Sequence, residues 1–146
     1  MANPVSARDI RRVIANATSL QVSDRANIVM RVLAAMRACG VQRVLMMPEN
    51  GGIRSLLKRG LQREQRLGEN RFPELEMTNT QISGTVADTF AATKAMLDSG
   101  VKAIVVLGGD GTHRAVAKFC GQVPIAGIST GTNNAFPEHH EPTIIG

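Results

Sequence analysis

The run Val101-Lys102-Ala103-Ile104-Val105-Val106-Leu107, followed at once by Gly108-Gly109-Asp110-Gly111-Thr112, constrains this chain more than any other stretch. An almost uninterrupted apolar run of that length suits a strand buried on both faces, as in parallel sheets covered by helices on each side. Three glycines around one aspartate let the backbone turn sharply and approach a ligand without obstruction from a Cβ. A short helix through Ala115, Val116 and Phe119 should follow, and its first turn presents unpaired N–H groups that suit phosphate oxygens. A carboxylate at Asp110 repels phosphate unless it has another task. It could take a proton from an attacking hydroxyl, or hold a Mg²⁺ that bridges phosphates. The alternative is a plain tight turn with Asp110 as helix cap, and the residues alone leave both readings open.

The rest of the chain repeats the same alternation. Ser6 heads a capping-box-like start, and Ile10, Val13, Ile14 and Ala17 follow at helical spacing. A second helix is expected from Ser23 or Asp24, burying Ile28, Val32 and Met36 and stopping at Gly40. Val41 to Met47 reads as a strand ended by Pro48. Gly51 to Leu67 reads as a basic helix with an apolar stripe of Ile53, Leu56, Leu57 and Leu61. Leu75 to Ile82 alternates in part and is expected as a strand. Thr85 then caps a helix with Asp88 in its first turn; Val86, Phe90 and Leu97 lie on one face of it, and Gly100 ends it. Pro124 to Ile128 gives a last strand, delivered into Ser129-Thr130-Gly131-Thr132-Asn133-Asn134. Strands alternating with helices imply βαβ units with right-handed crossovers. The expected fold is therefore α/β: an open parallel sheet with helices on both faces, a Rossmann-like three-layer arrangement. Both Gly-rich loops leave the carboxyl ends of strands, where such sheets bind ligands.

With 146 residues, residues 1–146 are expected to form a single nucleotide-binding domain. No run approaches the ~18 apolar residues that a membrane span needs, and the N-terminus lacks the basic start and apolar stretch of a signal peptide. Cys39 and Cys120 are expected as buried thiols in a reducing cytoplasm. Charge is uneven. Residues 1–71 carry 13 Lys/Arg against 5 Asp/Glu, a net +8, and residues 72–146 carry 4 against 7, a net −3. A basic half attracts phosphate-bearing ligands, although a solvated helix face from Arg54 to Arg71 is the plainer explanation. Nucleic acid is not an expected partner, since Tyr and Trp are absent and only four Phe are present to stack on bases. His139 and His140, beside Glu138 and Glu141, are expected as solvated residues, and no metal cluster is foreseen.

Two familiar phosphate motifs fail. No Walker loop is present. Gly109-Asp110-Gly111 begins like a dinucleotide fingerprint, but Arg114 takes its third small position and the next strand ends at Thr130 without a ribose-holding acid. Instead, Gly108-Gly109-Asp110-Gly111-Thr112 after a buried strand resembles the signature shared by NAD kinases, diacylglycerol kinases and sphingosine kinases. Gly131-Thr132-Asn133-Asn134 resembles the second nucleotide-contacting loop of that superfamily, and Asn3-Pro4-Val5-Ser6 its first. The wider spellings Gly-Gly-Asp-Gly-Thr-His-Arg and Gly-Thr-Asn-Asn-Ala-Phe-Pro resemble an ATP–NAD kinase-like subgroup associated with acetoin catabolism.

The resemblance implies that Asp110 acts as general base, with Gly108, Gly109, Gly111 and Thr112 shaping a phosphate pocket. Asn133 and Asn134, in the loop with Gly131 and Thr132, would contact the nucleotide; Asn3 and Ser6 would contribute from the first loop. It further implies ATP (or polyphosphate) as donor, Mg²⁺, and NAD as the substrate phosphorylated on its 2′-hydroxyl. Three departures are visible. Ala7 stands where the first loop usually has Gly. The chain starts at that loop, without the strand expected before it. It stops at Gly146, where the family continues into a β-rich C-terminal domain. The expectation is half of an enzyme, inactive alone, whose uncovered face favours a homo-oligomer. A non-catalytic nucleotide-binding module or truncated relict is the second reading. A diacylglycerol-type lipid kinase is the third, opposed by His113-Arg114 where such kinases carry Asn-Glu.

Overall fold

The computed structural model describes residues 21–68, 70–130, 134–135 and 142–146. The helix expected from Ser6, the residues Asn3, Ser6, Gly131, Thr132 and Asn133, and the pair His139 and His140 lie outside the described residues. Nine elements follow in order: α1 (Val22–Ala38), β1 (Arg43–Met46), α2 (Ile53–Arg66), β2 (Glu74–Met77), α3 (Val86–Asp98), β3 (Ile104–Gly108), α4 (Asp110–Ala117), β4 (Ile125–Ser129) and α5 (Pro142–Ile145). The α/β alternation read from the sequence is borne out.

Local chemistry sets the helix ends. The Gln21 N–H donates to Asp24 Oδ2 at 3.1 Å at the start of α1. At its end, Gly40 N–H donates to Arg37 O and Val41 N–H to Met36 O, with Gly40 at φ 92°. The end of α3 repeats this, with Gly100 at φ 72° and N–H bonds from Gly100 to Leu97 O and from Val101 to Met96 O. Both are left-handed closures that only glycine adopts without strain, and each throws the chain directly toward a strand.

All strand pairing is parallel. Arg43–Met46 of β1 lies beside Glu74–Met77 of β2, and Ile104–Gly108 of β3 lies beside Ile125–Ser129 of β4. Among the described residues these are two separate pairs, with no ladder joining β1 to β3. Alternation along the strands assigns their two faces. Met46, Leu107 and Ile128 join Ala26 and Val32 of α1 and Ile53 and Leu57 of α2 in one core. On the opposite face Ile104 and Val106 pack with Val116 and Cys120, and Met47 packs with Ala92 and Met96 of α3. Helices therefore cover both faces, and β3 is buried on both sides as its apolar run requires.

Four details differ from the sequence reading. Strand β2 ends at Met77 rather than Ile82. Thr78 N–H still reaches Met46 O at 2.9 Å, but Thr80 N–H turns back to Thr78 O at 3.0 Å and leaves the ladder. The buried face of α3 is Thr89, Ala92, Thr93 and Met96, whereas Val86 is 56% exposed. Thr93 can be buried because its hydroxyl donates to Thr89 O at 2.7 Å within the helix. Cys120 is buried as expected, but Cys39, the C-cap of α1 ahead of Gly40, is exposed. The short helix α5, packed against α1, was not foreseen.

Candidate functional site

Strands β1, β2 and β3 all deliver their carboxyl ends to one cleft of about 610 Å³, within the range of ligand pockets. Three loops line it: Met47 to Gly51 after β1, Ile82 to Thr89 after β2, and Gly111, Thr112 and Ala115 after β3. Each loop opens a helix, so three helix N-termini border one space. Two are already satisfied by side chains. Arg54 N–H in the first turn of α2 donates to Glu49 Oε1 at 2.6 Å. Thr85 Oγ1 accepts from Ala87 N–H at 3.2 Å at the start of α3, where Asp88 also accepts from the N–H groups of Ser83 and Gly84 at 2.9 and 2.8 Å. These bonds, led by that from the Ser83 hydroxyl, hold the Asp88 carboxyl below its ordinary 3.8. The N-terminus of α4 is different: its N-cap is Gly109, which has no side chain to cap it. That is the end which the Gly-rich loop presents.

Each described residue of that loop has a distinct place. A Cβ on Gly108 would fall 2.8 Å from Thr112 Cβ and 2.9 Å from Thr112 Oγ1, so the strand end and the first turn of α4 are in van der Waals contact. Among the described residues nothing lies within 4 Å of a Cβ built on Gly111, which lines the cleft. Gly109 O accepts from Thr112 N–H at 2.9 Å and from His113 N–H at 3.2 Å. His113 Nδ1 lies 2.9 Å from the same oxygen, and because a carbonyl only accepts, Nδ1 carries the proton. The Nδ1 side of His113 is thus tied to the loop, while its Nε2 is buried without a hydrogen-bond partner among the described residues, and Arg114 is exposed. Asp110 turns toward the second Gly-rich loop: Oδ2 accepts from Ala135 N–H at 2.9 Å, and Asn134 Nδ2 donates to Ser129 Oγ at 2.6 Å. The loops after β3 and β4 meet at Asp110, which does not line the cleft.

The chain matches the family model for the ATP-NAD kinase N-terminal domain over residues 12–145. It belongs to that family. The acetoin-associated resemblance is also borne out. The chain is 60% identical, over 146 residues and its whole length, to "Acetoin catabolism protein X" of Cupriavidus necator. It spans 40% of the length of that relative. No solved structure matches it. Within this ATP-NAD kinase domain, Gly111 and Thr112 of the β3 loop line the cleft together with Glu49, Asn50, Ser83, Gly84, Thr85 and Asp88, which sequence reasoning did not single out as site residues. The available signal was positional: Pro48-Glu49-Asn50-Gly51-Gly52 and Ser83-Gly84-Thr85 are also polar, Gly-containing loops at carboxyl ends of parallel strands. No group of three His, Cys, Asp or Glu that could hold a metal occurs among the described residues. No described helix is long and apolar enough to cross a membrane.

Proposed function

We propose that this domain binds ATP and NAD at the carboxyl ends of its strands. In the full-length protein it supports phosphoryl transfer from ATP, or polyphosphate, to the 2′-hydroxyl of NAD. The observation that carries the reading is the glycine N-cap of α4, which opens on the cleft through Gly111 with no described side chain within 4 Å of a Cβ built there. The first-turn N–H groups and the helix dipole suit that end to phosphate oxygens. Gly108, Gly109 and Thr112 fix its shape. Asp110 takes the proton of the acceptor hydroxyl. Catalysis in such a transfer is positioning plus neutralisation of charge, so few other groups are needed. Mg²⁺ is commonly held by one or two carboxylates together with substrate phosphates and water. Such an ion would be held chiefly by the substrate phosphates and would neutralise their charge. Asn134 positions the second loop, and Gly131, Thr132, Asn133, Asn3 and Ser6 complete the proposed nucleotide contacts.

A second reading, a nucleotide-binding module without catalysis, draws support from one observation. The Asp110 carboxylate is engaged by Ala135 N–H, and Asp110 is not among the residues lining the cleft. The two readings separate on Asp110→Asn in a full-length protein carrying this loop. The kinase reading expects turnover to fall about 10²–10⁴-fold with ATP affinity nearly unchanged. Turnover within a factor of a few of the parent would make Asp110 a structural cap.

A further inference from the structure

Glu49 is 6% exposed, and only one of its carboxylate oxygens has a described use. Oε1 accepts from Arg54 N–H, whereas Oε2 is buried with no hydrogen-bond partner. Burying an acceptor of a carboxylate unsatisfied is costly, and native proteins seldom tolerate it without a partner for that oxygen. Glu49 lines the cleft together with Asn50, Ser83, Thr85, Thr89 and Thr112, and no Lys, Arg or His is among the cleft's described lining residues. An anion therefore has no cationic side chain to meet at this end of the cleft, and a carboxylate would repel it. A neutral group rich in hydroxyls suits the same walls, because each O–H can donate to the carboxylate while Ser, Thr and Asn side chains supply further donors and acceptors.

We infer that Glu49 is a specificity-determining residue, whose Oε2 accepts a hydrogen bond from a ribose hydroxyl of the bound nucleotide. This rests on the nucleotide reading above and extends it in one respect: the phosphates go to the α4 terminus, and the sugar to the β1 loop. The β1 loop is placed for it, since Glu49 follows a strand end and is anchored by the first turn of α2. The same carboxylate disfavours a nucleotide whose ribose already carries a phosphate.

Calorimetric titration of the chain with ATP, 2′-deoxy ATP and 3′-deoxy ATP tests this. One of the two deoxy analogues should bind about 10- to 100-fold more weakly than ATP, the range for a hydrogen bond to a charged acceptor. Glu49→Gln retains an oxygen for Arg54 N–H but lacks the charge, so its discrimination should shrink to about threefold or less. If the chain binds ATP and both analogues alike, this inference is overturned and the nucleotide reading stands. If it binds none of the three, both fall. Should Glu49→Gln fail a thermal-melting check of folding, the comparison of ligands on the unaltered chain still decides the question.

Discussion

Two glycines of one motif serve different physical ends. At Gly108 the obstacle is internal, since a methyl group would meet the Thr112 side chain at under 3 Å. Gly108→Ala must push α4 away from β3, and we expect a loss of about 1–3 kcal/mol, as for other overpacked sites, read by chemical denaturation. At Gly111 no described residue comes within 4 Å and φ is not left-handed, so Gly111→Ala should keep stability or raise it by up to about 1 kcal/mol. Its glycine is needed only if a ligand comes close. Asp88 gives a third test at this scale. Its folded pKa is lowered beneath 3.8 by the Ser83 hydroxyl and backbone N–H groups. Its stabilising effect is therefore complete above that value and disappears as pH falls through the lower folded one. Asp88→Asn should cost about 1 kcal/mol near neutrality, as for a lost helix cap. Melting curves of the two proteins should converge as pH falls below 3.8.

Elements were legible where one physical signal dominated. The β3 run could only be a twice-covered strand, and Gly40 and Gly100 ended helices as left-handed closures. The stripe of α2 was read correctly in Ile53 and Leu57, both fully buried. Leu57→Ala should cost about 2–5 kcal/mol by leaving a cavity, whereas Arg59→Ala on the exposed outer face should stay within about 0.5 kcal/mol. Thermal denaturation of the pair checks this. The buried face of α3 was not legible, because hydropathy counts Thr89 and Thr93 as polar while the helix satisfies the Thr93 hydroxyl internally. The early end of β2 also escaped, since it depends on Thr80 turning back on Thr78. At the site, the Gly-rich loop announced itself by composition. Glu49 did not, because its importance lies in an oxygen left unsatisfied after folding, which no spacing encodes.

For the whole molecule, two parallel strand pairs present edges that no described ladder joins, and unpaired edges recruit other chains. We expect a homo-oligomer, with light scattering giving masses above 15.6 kDa across a hundredfold range of concentration. A constant mass of one chain would contradict it. The central claim, that nucleotide phosphate docks on the α4 terminus, is tested most directly by calorimetric titration of ATP into the chain and into Gly111→Ala. Calorimetry suits a protein without Trp or Tyr. The account predicts binding by the unaltered chain at micromolar to millimolar levels, about −4 to −8 kcal/mol. It predicts loss of that binding in Gly111→Ala with melting temperature preserved. No heat at millimolar ATP, or equal affinity in the two proteins, would contradict it.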